Sequence, residues 1–352
     1  MKNHYINCLR GVAIFLMLWG HCVQVCIPTG VDFFGNPVFR FIYSFHMPLF
    51  MLISGYLFRL SFERRTWEEL LSRRCGSLLK TLLIWNILIY FLSDGLFAAL
   101  RGDVWALLDG RFLSALSGLW FLWSTLACSL AVGFTFKKAT RPWARAMHAV
   151  VGGVFVLLLP NGVYNLFMYP YFLIGFLFSA LRERLPKGVL RLRYLALPIF
   201  PVLLFFFEKR HYIYTSWMFG SEYTPLQYLE IDLFRFLIGL VGSVFVCVLV
   251  EWLCHLSAHV KSVRFLGNKL AYLGEKSLQF YVLSTLFLST YLLKLYPSLA
   301  ALMPTVDAFF ATHTGLFSFG VMLPLAVLVS LGLGVLIRLL ERIGLSRGLF
   351  GR

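Results

Sequence analysis

Charge is scarce in this chain of 352 residues: Asp, Glu, Lys and Arg together make up 14%, where soluble domains carry about a quarter. Acidic residues are the scarcer half, 16 Asp and Glu against 32 Lys and Arg, giving a formal net charge of +16. Hydrophobic residues fill the deficit at 59%. Apolar runs recur along the whole length, the pattern of a polytopic membrane protein. Paired cysteines are missing as well. The seven present (Cys8, Cys22, Cys26, Cys75, Cys128, Cys247 and Cys254) are odd in number, irregularly spaced and without a C-x-x-C. They read as small buried hydrophobes, and a disulfide framework is excluded. His21, Cys22 and Cys26 supply three metal ligands without a fourth, so no metal is implied. No glycine-rich phosphate loop, H-E-x-x-H or G-x-S-x-G element stands out, which removes the motif support for an ATPase, a zinc protease or a serine hydrolase. Sustained alternation is absent, which argues against a transmembrane barrel. Neither a repeat nor a loop long enough for a second folded domain is present, so residues 1–352 read as one domain.

Ten stretches are apolar enough to be drawn as spans: about 6–27, 38–60, 77–97, 117–136, 146–160, 162–181, 194–207, 231–254, 272–296 and 315–340. The fold class expected is all-α, because a helix satisfies its own backbone hydrogen bonds in lipid. The first stretch exceeds a signal peptide's apolar core of roughly 7–15 residues, contains Arg10 and lacks an A-x-A-like site, so it is expected to be retained. With the N-terminus inside, 25 of the 32 Lys and Arg fall on inner ends and loops. Arg40, Arg101, Arg111, Lys209, Arg210, Arg235 and Lys294 fall outside. This asymmetry fits the positive-inside rule with both termini cytoplasmic. The basic excess is then mainly topology, and nucleic acid is not an expected partner.

The first stretch carries two ionisable residues, Arg10 and His21. Such groups are costly at membrane depth, face the protein interior and are functional candidates. Their eleven-residue separation is three turns plus roughly 20°, so both lie on one helix face, about 16 Å apart along the axis. The second stretch holds His46, some 12 Å below its outer end; His21 sits about 9 Å below the outer end of the first. A short connection makes the two helices antiparallel neighbours, and two imidazoles at matching depth can share one cavity. Pro48 frees a backbone carbonyl nearby, and Ser54-Gly55 adds a small spot. Histidine is the natural general base near neutral pH. Arg10, with Arg73 and Arg74 at the cytoplasmic entry to the third stretch, offers planar donor forks suited to phosphate. Each member has a plainer reading. A membrane histidine can be a packing residue, Arg10 can snorkel to the inner headgroups, and Arg73 and Arg74 can simply obey the positive-inside rule. The set is more specific than any member.

These residues carry a resemblance. The segment LRGVAIFLMLWGH, with an Arg, ten residues and a His, resembles the acyltransferase-3 family of integral membrane O-acyltransferases. FHMPLFMLISGYLF is similar to that family's second span, LWFLWSTLACSL (119–130) to its Trp-Phe-Leu segment, and LGEKSLQFYVLST (273–285) to its late Ser-Leu-x-x-Tyr segment. Within the family, the chain resembles the branch of fucose 4-O-acetylase and related sugar acetyltransferases. The resemblance implies a bacterial cytoplasmic (inner) membrane protein. The donor it implies is an acyl-CoA, usually acetyl-CoA, arriving from the cytoplasm. The acceptor it implies is a hydroxyl of a cell-surface glycan or its lipid-linked precursor. It places His21 as the essential histidine and Arg10 as its partner. One departure is Ser284, where many relatives have a histidine. A hydrolase-like periplasmic domain of some relatives is not expected here, so the chemistry is expected within the membrane domain.

On this reading the catalytic residues are His21 and His46, the donor is held by Arg10, Arg73 and Arg74, and Arg235 and Trp120 are candidates for acceptor binding. Arg235 can equally anchor at the interface, and Trp120 and Trp123 can belong to an aromatic belt. Glu275-Lys276-Ser277 reads as a helix start and cap. The C-terminal tail, with Arg342, Arg347 and Arg352, reads as a basic anchor on membrane lipids. Two other functions are compatible with intramembrane Arg and His. One is a transporter or flippase for a polysaccharide precursor, though no repeat or matched helix interruption supports it. The other is a scaffold in a polysaccharide assembly complex.

Overall fold

A computed structural model of the chain describes residues 2–95, 117–138, 141–213 and 223–351. Arg101 and Arg111, counted above as outer, and Arg352, counted as inner, lie outside the described residues. Among the described residues the chain is helical, with no strand.

Among the described residues, eight helical stretches are long and apolar enough to cross a membrane: His4–Val25, Pro37–Arg64, Trp67–Ser93, Gly162–Leu181, Lys187–Phe205, Pro225–Ser257, Ser277–Leu302 and Leu316–Arg342. The two other predicted spans are helices as well, Trp120–Lys138 and Pro142–Leu157. The first of these is diluted by Trp, Ser, Thr and Lys. The second has 16 residues and extends only about 24 Å, short of the roughly 30 Å hydrocarbon layer. Large apolar side chains stand exposed on the outward faces, Phe205 at 79%, Leu302 at 78% and Val150 at 71% among them. Faces of that kind belong against lipid.

The helices fall into two compact units, Met1–Phe50 with Leu185–Leu336, and Met51–Arg184 with Ile337–Arg352. The first unit is built around α1 (Lys2–Val25). Ile14, Met17 and Leu18 on the face of Arg10 and His21 are buried, so that face looks into protein. The N-terminal half of α1 lies along Lys261–Glu275, an amphipathic helix whose polar and charged residues keep most of it out of the apolar runs. Here the backbones all but touch. A Cβ at Gly11 would lie 1.8 Å from the Leu270 carbonyl oxygen, and one at Gly274 would lie 1.8 Å from that of Asn7. Small residues permit such close crossings in membranes. His4 faces Gly267 while Asn7 and Gly11 face Gly274, so the two helices run in the same direction.

The second predicted span is broken. Asn36 caps α2 (Pro37–Tyr43), accepting from the Val38 and Phe39 N–H groups, with Pro37 at the first helical position. After Ser44 and Phe45 the chain resumes as α3 (His46–Arg64). Pro48 has no N–H to give the carbonyl four residues back and crowds it, and the interruption falls there.

The second unit is organised around Asn165, which is fully buried. Ser124 Oγ donates to its Oδ1 at 2.7 Å, and its Nδ2 donates to the carbonyls of Val156 and Pro160 at 3.0 and 2.9 Å. One amide thereby ties Trp120–Lys138, Pro142–Leu157 and Gly162–Leu181 together. The C-terminal segment docks in this unit. Phe350 stacks on Trp85 at 5.2 Å, Trp85 Nε1 donates to the Leu349 carbonyl, and Ser77 Oγ donates to that of Gly351.

Candidate active site

α1 presents Arg10 and His21 about 16 Å apart along its axis, and α2 brings Tyr43 against His21. Gly20 makes this approach possible, since a Cβ there would stand 2.8 Å from the Tyr43 ring. The Tyr43 hydroxyl lies 3.1 Å from His21 Nδ1 and donates to Gln24 Oε1 at 3.1 Å; His21 Nδ1 and Gln24 Oε1 are 3.0 Å apart. The same tyrosine ring meets the His46 ring edge-on, with centroids 4.5 Å apart, and stacks on Phe39 at 3.8 Å. Tyr43 is therefore the residue through which the two histidines meet. His46 is 2% exposed and its Nδ1 lies 2.9 Å from the Ile42 carbonyl oxygen. That carbonyl can only accept, so Nδ1 carries the proton and Nε2 keeps its lone pair. His21 is half-buried.

The C-terminal end of α1 is held by the segment near 318. Trp19 Nε1 donates to the Ser318 carbonyl at 3.0 Å, and Asn36 Nδ2 donates to Ser318 Oγ at 2.8 Å. Three turns toward the N-terminus of α1, Arg10 Nη2 donates to Ser277 Oγ. Ser277 does not cap its helix, as the Glu275-Lys276-Ser277 segment suggested. The helix before it ends at Glu275, and the serine's hydroxyl turns to Arg10.

Arg235 is 6% exposed, and its guanidinium serves the turn at residues 209–212. Nε donates to the His211 carbonyl at 2.8 Å, Nη2 to the carbonyls of Arg210 and Tyr212 at 3.4 and 3.3 Å, and Nη1 pairs with Asp232 at 3.0 Å. Arg40 holds the preceding residues, donating to the Leu204 and Phe207 carbonyls at 3.1 and 2.6 Å. Within the turn, His211 Nδ1 accepts the Glu208 N–H at 2.8 Å. Burial of that imidazole, reinforced by the Arg210 charge, pushes its pKa down to about 4. Beside it Lys209 donates to Asp32 at 2.8 Å and holds the Asp32 carboxyl below the usual range.

Arg73, Arg74 and Trp120 belong to the second unit. Both arginines lie in a π-helical turn, Leu70–Cys75, a distortion frequent at functional sites. Arg73 is exposed. Arg74 Nη1 donates to Ser61 Oγ at 2.6 Å and to the Leu57 carbonyl at 3.1 Å, and its guanidinium lies over the Phe58 ring. Trp120 packs on Tyr164 with centroids 5.1 Å apart, directly after Leu119, whose φ of 52° is unusual for a branched residue. Among the described residues, no group of three or more His, Cys, Asp and Glu is placed to hold a metal ion.

Three polar residues around the candidate site escape the sequence reading: Gln24, Tyr43 and Ser277. The first two had a readable signal. Gln24 follows His21 by three residues and Tyr43 precedes His46 by three, the spacing that puts side chains on one helix face. Ser277 is the serine of the late Ser-Leu-x-x-Tyr segment, but its contact with Arg10 had no signal, because that partner lies 267 residues away.

The family model described as an acyltransferase domain matches residues 3–339. Two proteins named nodulation protein NolL are similar to this chain. That of Sinorhizobium fredii is 34% identical over 186 residues, 52% of this chain and 50% of the relative. That of Mesorhizobium japonicum is 30% identical over 173 residues, 48% of this chain and 46% of the relative. The chain thus spans about half the length of the curated relatives it matches. No solved structure matches.

Proposed function

The chain belongs to this family of acyltransferases, and from that premise we propose that it is a membrane O-acyltransferase. It moves an acyl group, acetyl in the simplest case, from acyl-CoA to a hydroxyl of a cell-surface glycan or its lipid-linked precursor. The observation that carries the reading is Tyr43 joining His21 to His46 on the interior face that also bears Arg10. In the proposed step His21 accepts the acceptor hydroxyl's proton as the oxygen bonds to the thioester carbonyl carbon. The C–S bond breaks, and the sulfur leaves as the thiolate of CoA. His46, with Nε2 free to accept, orients the acceptor. Arg10, set by Ser277, holds a donor phosphate. Arg73 and Arg74 are proposed as further cations for the donor, supported by guanidinium's match to phosphate. Trp120 is proposed as a face for an acceptor sugar. Arg235 contributes to acceptor binding through the turn it holds.

The proposal places one catalytic domain over 1–352 in a bacterial inner membrane, with ten spans and both termini cytoplasmic. The distribution of Lys and Arg supports this orientation. Its test is to incubate membranes containing the protein with radiolabelled acetyl-CoA. Label in the glycan fraction that depends on the protein supports transfer; movement of a glycan precursor without label supports transport instead.

A further inference from the structure

The contacts of His21 define more than its position. Its Nδ1 faces two oxygens, Gln24 Oε1 at 3.0 Å and Tyr43 Oη at 3.1 Å. The Tyr43 hydroxyl proton is directed at Gln24 Oε1, so the lone pairs of Oη remain for His21. An amide oxygen only accepts, and a phenol that has donated can then only accept. Nδ1 therefore meets two acceptors and must carry hydrogen. An imidazole with one proton on Nδ1 has its lone pair on Nε2, so the reacting nitrogen is fixed as Nε2. The same logic holds a catalytic histidine in one tautomer where a carboxylate sits behind it. Here an uncharged pair does so, and an amide and a phenol are cheaper to keep inside a membrane protein than an ion.

We infer that Gln24 and Tyr43 are positioning residues that lock His21 into the Nδ1-protonated tautomer and aim Nε2 at the acceptor hydroxyl. The inference rests on His21 being the base of the proposed transfer. Tyr43 is well made for the part. Its ring is clamped between Phe39 and the edge of His46, and Gly20 leaves room for it on α1. Its hydroxyl is thereby fixed with little rotational freedom of its own. Gln24 stands one turn above His21 on the same helix, so its reach is set by the helix itself. Three polar groups lie within 3.1 Å of one another, each in contact with the other two.

The direct test is nitrogen NMR of the purified full chain labelled with 15N-histidine, with His21 assigned by comparison with His21→Ala. The expected His21 signature is a protonated Nδ1 and an unprotonated Nε2. In Gln24→Leu this gives way to a mixture or to the opposite tautomer. A protonated Nε2 in the unsubstituted protein overturns the inference, since it requires the Gln24 amide to face His21 with its nitrogen. Acetyl transfer supplies the second readout. Gln24→Leu and Tyr43→Phe are each expected to lower kcat by roughly 10- to 100-fold, the worth of one hydrogen bond to the imidazolium that forms in the step, with the KM for acetyl-CoA unchanged. Gln24→Glu, which keeps an acceptor behind Nδ1, is expected to retain more activity than Gln24→Leu. Tyr43→Phe preserves the ring contacts, so its loss reports the hydroxyl alone. If His21→Ala is inactive while Gln24→Leu and Tyr43→Phe match the unsubstituted enzyme, the lock is wrong and the base assignment stands. If His21→Ala is fully active, the base assignment itself fails and the lock with it.

Discussion

Arg10 donates to the hydroxyl of Ser277 across 267 residues of chain, joining the first membrane helix to the start of Ser277–Leu302. The contact helps to set the direction of the guanidinium. In the proposed enzyme it also sets the distance between the donor's phosphate and His21, about three helical turns along α1.

Ser277→Ala removes that restraint without removing the charge. The expected outcome is a rise in the KM for acetyl-CoA of about ten- to a hundredfold, from the loss of one hydrogen bond to a charged group, with kcat little changed. Arg10→Ala is expected to raise KM further. Steady-state kinetics in membranes or detergent measure both. An unchanged KM in both variants would remove Arg10 from the donor site.

The crossing of α1 with Lys261–Glu275 leaves no room for a side chain. Gly274→Ala puts its Cβ 1.8 Å from the Asn7 carbonyl oxygen, a backbone atom that cannot swing away. A cost of about 1–3 kcal/mol is expected, read as a lower thermal midpoint in detergent. Gly332, around which a Cβ would meet nothing, is the control, and its alanine variant should leave the midpoint in place.

That crossing also marks how far the sequence reaches. The length and spacing of apolar runs locate the long helices, and the 1.5 Å rise per residue is enough to set His21 and His46 at matching depth. Pro48 announces the interruption at Ser44 and Phe45. The helix Lys261–Glu275 is not visible in the same way, because Lys261, Arg264, Asn268 and Lys269 break its apolar run. It is held by backbone approach, which leaves only two glycines as a trace. Arg235 shows a second limit. An arginine inside an apolar run announces that it has a partner, but its partners here include three main-chain carbonyls, and carbonyls have no sequence signature.

Arg235 holds the turn at 209–212 through a fork that a point charge cannot copy. Arg235→Lys is expected to loosen the turn nearly as much as Arg235→Met. The check is hydrogen exchange at residues 208–212, with an expected opening cost lower by about 1–3 kcal/mol. Exchange in Arg235→Lys equal to that of the unsubstituted protein would show that the charge alone suffices.

His211 gives the same turn a pH dependence with a defined sign. Its folded pKa, about 4, lies below the unfolded value of about 6.5. Between those two values the unfolded state binds more protons, so the stability of the turn falls as pH falls. Protection factors at 208–212, in which the intrinsic pH dependence of exchange is divided out, should therefore fall from pH 7 to pH 4.5, and His211→Asn should flatten this response. Asp32, held down by Lys209, acts in the same direction only at lower pH, as its carboxylate protonates.

The central claim is that His21 takes the proton of the acceptor hydroxyl, and the rate of label transfer from acetyl-CoA to glycan by His21→Ala tests it most directly. The measurement is made at matched membrane levels and with an unchanged thermal midpoint. The account predicts transfer indistinguishable from membranes lacking the protein. Transfer at the rate of the unsubstituted enzyme would contradict it.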